Sequence, residues 1–154
     1  MFRVIDHTAD IGLLIEGKSK EELFTESAAG MFSIIAGGKL CRGRIHPTRG
    51  LDKSSPYKGN SYGIEFKIKV TAKTLEELLV SFLNELLYLA EKEKAIFAQF
   101  KIKIGKIKNR FCLKGKIKKN SQIPKREIKA ATYHNLKVLQ KKPNLWQTRI
   151  IFDL

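Results

Sequence analysis

The sequence predicts an α+β two-layer domain, in which an antiparallel or mixed β-sheet carries two main helices on one face. Three observations lead there. Two stretches repeat their apolar residues with the 3.6-residue period of a helix, most of the remainder alternates with the period of two of a strand, and the order runs strand, helix, strand, helix, then strands alone. The chain has 154 residues, of which 43% are hydrophobic, so the whole of 1–154 reads as a single domain. At this length one core buries roughly 70% of the unfolded surface, and folding requires neither disulfides nor a structural metal.

The elements follow in order. A strand is expected at 10–16, beginning at Asp10. The first helix opens at Ser19 with Glu22 three residues on, a capping box, and runs through Leu23, Phe24, Ala28, Met31, Phe32 and Ile35 until Gly37-Gly38 stops it. From about 39 to 61 lies a basic connection rich in Gly, Pro and Ser, including His46-Pro47 and Ser54-Ser55-Pro56. Phe66-Lys-Ile68-Lys-Val70 is a strand with lysines on its wet face. The second helix opens at Thr74 with Glu77 and places Leu75, Leu78, Leu79, Phe82, Leu83, Leu86, Leu87 and Ala90 in a wide stripe, which requires deep burial. Alternation then marks strands at Phe100–Ile104 and Phe111–Ile117, and further strands are expected at 127–139 and 146–153.

Charge narrows the function classes. The net charge is +15, from 30 Lys and Arg against 15 Asp and Glu, yet residues 1–38 are acidic. The excess lies at 101–129, where twelve basic residues face the single acid Glu127. Lys101, Lys103, Lys114, Lys116 and Lys118 therefore read either as a solvated face or as a surface for RNA phosphates, tRNA included. Phe100 and Phe111 fall on the apolar phase, so no base-stacking platform is evident.

Several classes are excluded or disfavoured. The N-terminus has no apolar segment behind a basic one, and no run of about 18 apolar residues occurs, so a cytoplasmic protein without a membrane partner is expected. Cys41 and Cys112 stand far apart without clustered His, which argues against zinc. Gly-rich phosphate loops, a nucleophile elbow and a paired-His helix are all absent. An autonomous enzyme with its own small-molecule substrate is correspondingly the weakest reading.

Two polar clusters remain. Asp6-His7-Thr8-Ala9-Asp10 precedes a strand and Phe152-Asp153-Leu154 closes one. These are either turn residues and solvated carboxylates, or Asp10, Asp153 and a terminal oxygen of Leu154 meet across adjacent strands and bind a hard cation, Ca²⁺ or Mg²⁺. In Glu127-Ile-Lys129-Ala-Ala131, alternation puts Glu127, Lys129 and Ala131 on one strand face. Lys129 then either binds an anion or forms an exposed, weakly stabilising pair with Glu127.

Together these blocks resemble the archease family, small proteins that act as cofactors of the GTP-dependent RNA ligase that joins tRNA exon halves. The resemblance rests on His7-Thr8-Ala9-Asp10-Ile11-Gly12, Glu22-Leu23-Phe24, Ala28-Ala29-Gly30-Met31-Phe32, Leu83-Asn84-Glu85-Leu86-Leu87-Tyr88-Leu89, Ile128-Lys129-Ala130-Ala131-Thr132-Tyr133-His134, and Trp146 with Ile150-Ile151-Phe152-Asp153-Leu154. It implies a metal site, often Ca²⁺, formed by Asp10, Asp153 and Leu154. It also implies a role without turnover of its own, in which the protein promotes ligase guanylylation and multiple turnover, with His7, Glu127 and Lys129 in blocks tied to that partner. Two departures make this chain more basic than the family pattern: Lys116-Ile-Lys118-Lys119 follows Gly115 where an acid is expected, and Asn135 stands where relatives have Asp. The alternative from another class is a basic RNA-binding or chaperone-like module associated with tRNA processing or tRNA-modifying enzymes.

Overall fold

The computed structural model describes residues 1–6, 10–37, 64–120 and 122–154. The basic 39–61 loop, His7 and Cys41 lie outside the described residues. Strands β1 (Phe2–Asp6) and β2 (Asp10–Gly17) lead into helix α1 (Lys20–Ile35), and β3 (Glu65–Ala72) leads into α2 (Leu75–Glu93). Then come β4 (Ile96–Ile107), β5 (Arg110–Asn120), β6 (Ala130–Thr132), β7 (Val138–Lys142) and β8 (Leu145–Asp153). The α+β class with two main helices is what the structure has, and its strands form two antiparallel sheets. One has β1-β2-β8 in order with β6 and β7 both on the far side of β8, and the other is β3-β5-β4.

Both helices begin as their capping residues require. The Ser19 hydroxyl accepts from the Glu22 N–H at 3.1 Å and the Thr74 hydroxyl from the Glu77 N–H at 3.1 Å. Each glutamate reaches back one residue beyond the cap, to the Lys18 N–H and the Lys73 N–H, at 3.2 Å in both cases. The anticipated apolar stripes are buried, and Phe24 of α1 stacks on Phe82 of α2 with centroids 6.0 Å apart. Helix α1 also joins the two sheets: it lies so close to the first that a Cβ on Gly30 would stand 2.7 Å from Leu13 Cδ1, and its Phe32 packs on Phe97 and Phe100 of the second. Gly37, at φ 70°, supplies the left-handed turn that follows the helix.

Phe97 and Phe100 are three residues apart, so a regular strand would point them to opposite faces. A bulge reconciles them. The register slips between Ala98 and Phe100, with Gln99 at φ 57°, so that Phe97 opposes Lys119 and Phe100 opposes Ile117, both on the core side of β5. Lys101 and Lys103 are thereby turned outward. The β4–β5 hairpin closes through Lys108 and Asn109, both at positive φ as a two-residue type I′ loop demands.

Two expectations need correcting. Strand β1, not anticipated, pairs with β2 along its whole length. The strand expected at 127–139 is broken into β6 and β7 by a turn in which the Leu136 N–H bonds the Tyr133 carbonyl and Asn135 adopts φ 52°. Asn tolerates that left-handed conformation, and the turn interrupts the pairing with β8, which resumes in β7. Independently of that turn, β6 starts only at Ala130, so Glu127 and Lys129 precede it, and they are exposed where Ala131 is buried, so the three share no strand face.

Candidate functional site

Antiparallel pairing of β2 with β8 opposes their residues with falling number against rising number, so the first residue of β2 meets the last of β8. Asp10 is thereby the direct partner of Asp153, and Asp153 is in turn opposed by Ala130 on β6. Directly opposed Cα atoms lie about 4.5–5.5 Å apart, which brings two carboxylate-bearing residues together at one end of the sheet with Leu154 adjoining. Asp10 is half-buried, whereas Asp153 and Leu154 are exposed. Among the described residues no three His, Cys, Asp or Glu side chains group as a metal site. A cation here would take the oxygens of Asp10 and Asp153 with an oxygen of Leu154, an all-oxygen set of the kind that suits Ca²⁺ or Mg²⁺ and not zinc.

The same corner adjoins the other predicted block. The Lys129 N–H donates to the Asp153 carbonyl at 2.9 Å, extending the β6–β8 pairing by one residue. Glu127 and Lys129 are exposed, and among the described residues they form no ion pair with each other. Both line an open groove of about 700 Å³ between α2 and residues 124–130, whose α2 side includes Asn84, Tyr88, Glu91 and Lys94. The predicted metal corner and Glu127 and Lys129 are thus brought side by side, with His7 outside the described residues.

Asn84 is the residue whose role the sequence left unread. Its Oδ1 accepts from the Ala131 N–H at 2.9 Å and its Nδ2 donates to the Ala131 carbonyl at 3.4 Å. A side-chain amide therefore stands in for the missing neighbour strand on the free edge of β6. Tyr88, one turn along on α2, is 58% exposed in the same groove. An amide inside an otherwise apolar helix stripe was the signal for Asn84, while nothing in the spacing singled out Tyr88.

The predicted phosphate-contacting lysines lie elsewhere, on the three-stranded sheet. Lys101, Lys103, Lys114 and Lys116 are exposed and Lys118 is half-buried. Register adds two that the sequence reading left out: Lys67 opposes Lys116, which opposes Lys101, and Lys69 opposes Lys114, which opposes Lys103. Cys112, a buried free thiol on β5, sits opposite Gly105. No helix among the described residues is long and apolar enough to cross a membrane.

Fold and site together describe a small α+β protein whose polar groups converge at an open sheet end. The Archease protein family (MTH1598/TM1083) matches residues 2–154, and the chain belongs to that family. Among its relatives, the Protein archease of Pyrococcus furiosus is 32% identical over 154 residues, covering 97% of this chain and 95% of that protein, and the Protein archease of Thermococcus kodakarensis is 31% identical with the same coverage. Two solved structures share the fold. The solution structure of Methanobacterium thermoautotrophicum protein 1598 has a TM-score of 0.73 at 26% identity, covering 99% of this chain and 98% of that one. The crystal structure of a Thermotoga maritima protein described as "an archease, possible chaperone" has a TM-score of 0.58 at 25% identity, covering 100% of this chain and 98% of that one.

Proposed function

We propose that this archease is a non-catalytic, cation-binding activator of the GTP-dependent RNA ligase that joins tRNA exon halves, promoting ligase guanylylation and repeated turnover. The observation that carries the reading is the Asp10–Asp153 pairing, set beside Lys129 by the Lys129 N–H to Asp153 carbonyl bond. Like-charged residues at directly opposed strand positions repel, and a divalent cation bound between them would relieve the repulsion. When bound, such a cation supplies positive charge for phosphate oxygens of a partner's nucleotide.

The chain's own groups do the rest. Asp10 and Asp153 sit at paired strand ends, and exposure of Asp153 and Leu154 leaves the corner open to a partner surface. Glu127, Lys129 and Tyr88 along the adjoining groove offer that surface charge and an aromatic ring. The partner is a protein, and the protein described here has no small-molecule substrate in this reading.

The test is guanylylation and multiple-turnover ligation by the cognate ligase, with wild type, Asp10→Ala or Asp153→Ala. Stimulation by wild type and its loss of at least 10-fold in either variant, with unchanged circular dichroism, is the expected result. Full stimulation by both variants refutes the acidic corner. Absence of stimulation by the wild type refutes the activator role and shifts the reading to a basic RNA-binding or chaperone-like module.

A further inference from the structure

The three-stranded sheet carries lysines where the fold has no use for them. On its outward face two rows run across all three strands, Lys67–Lys116–Lys101 and Lys69–Lys114–Lys103, each lysine directly opposite another. Like charges at directly opposed positions destabilise a sheet. Lysines on edge strands guard against edge-to-edge aggregation, which accounts for β3 and β4. It does not account for Lys114 and Lys116, because β5 is the central strand and has no free edge.

Geometry adds a second point. All six lysines are exposed, and an open groove of about 980 Å³ between this sheet and α1 is lined by them together with apolar residues, among them Ile68, Phe100, Ile102 and Ile107, and with Glu21 and Glu22. On the outward face of the three strands the six lysines of these rows are accompanied by one acid, Glu65, which stands opposite Lys118. Lysines two apart on a strand are spaced by about 6.7 Å and neighbouring strands by about 4.8 Å, which makes an array of point charges a few phosphates long and wide.

We infer that this lysine face binds the phosphate backbone of double-stranded RNA. The occupant follows from what the face holds and lacks. Phe97 is buried, and Phe66, Phe100 and Phe111 are half-buried on the core side of the sheet, so the outward lysine face itself offers no ring to unstacked bases. Recognition of single strands depends on such stacking, whereas a stem is gripped through phosphates and shape. RNA rather than DNA is chosen because the proposed function brings RNA ends to the complex, and the inference rests on that reading for this point alone. The face is on a different sheet from the acidic corner, so one molecule can hold a stem and meet a protein at once.

The experiment is fluorescence anisotropy of the isolated protein with a labelled RNA hairpin carrying a 16-base-pair stem, an oligouridylate of equal charge, and poly-glutamate as competitor. Engagement of four to six phosphates predicts that stem affinity falls roughly 10²- to 10³-fold between 50 and 200 mM salt. Lys114→Gln/Lys116→Gln should weaken stem binding at least 10-fold and lower the salt slope by about one per lysine removed. Removing like charges leaves the fold stable, and an unchanged urea midpoint checks this. The inference is overturned if the double variant binds like wild type, if oligouridylate binds more tightly than the stem, or if poly-glutamate binds the face directly with higher affinity than RNA. Guanylylation of the ligase by the same variant should be unchanged. Binding is read without ligase, so failure here and failure of the activator role are separate results.

Discussion

Replacing Asn84 by Ala removes both bonds that hold β6 to α2. The Ala131 N–H and carbonyl then stand at a site only 4% exposed, without the partners that now lie at 2.9 and 3.4 Å. An orphaned buried group costs about 1–3 kcal/mol, and the longer carbonyl bond belongs at the lower end, so the loss should total about 2–4 kcal/mol. For a domain of this size that lowers Tm by about 5–15 °C. Asn84→Asp separates the two contributions. It keeps an acceptor for the Ala131 N–H but points a second acceptor at the Ala131 carbonyl, which disfavours the charged carboxylate in the folded state. Its folded pKa then lies above the unfolded value of about 3.9, so the stability it retains is full below that value and is lost as pH rises through the folded pKa. Urea titrations of the three proteins between pH 3.5 and 7, with amide exchange at Ala131, provide the measurement. A loss under about 0.5 kcal/mol in Asn84→Ala, the ordinary range of a surface substitution, refutes the clamp.

Two further outcomes test the local structure. Ser19→Ala and Thr74→Ala each remove a hydroxyl that accepts an early helix N–H at 3.1 Å, and should each cost about 1 kcal/mol in urea unfolding; the two share no partner, so the double variant should lose about 2 kcal/mol. Gln99→Gly relieves a left-handed cost of roughly 1–2 kcal/mol and adds about 0.5–1 kcal/mol of chain entropy, so a net gain near 0.5–1 kcal/mol is expected, and destabilisation would show that φ 57° is not strained.

The helices were legible because each announces itself locally, with a hydroxyl cap, a glutamate three residues on and a stripe of apolar residues. The long lysine-alternating strands were legible for the same reason, since one residue's phase predicts the next. What the sequence concealed is long-range. Which strands share a sheet depends on pairings such as β2 with β8, whose partners run from Asp10 with Asp153 to Gly17 with Trp146 across nearly the whole chain, and nothing local encodes them. Asp10 and Asp153 could be suspected of meeting, but only register makes them opposite partners. Lys67 and Lys69 were visible as wet-face residues, and only the β3–β5 pairing joins them to Lys114 and Lys116. The 127–139 error came from Asn135, whose left-handed turn interrupts an alternation that continues unbroken on paper.

Gln99 has a bearing on how this chain tolerates change. A strand read two residues at a time has a frame, and every position after an insertion or deletion is read in the other frame. From Phe97 and Ala98 to Phe100 and Lys101 the frame is kept only because Gln99 is looped out of the pairing. Deleting Gln99 should therefore leave a regular strand with every later side chain on its present face, whereas deleting Lys101 would turn Ile102 and Ile104 to water and bring Lys103 toward the core. The charge that β4 contributes to the outer face, from Lys101 and Lys103, depends on Gln99 being skipped.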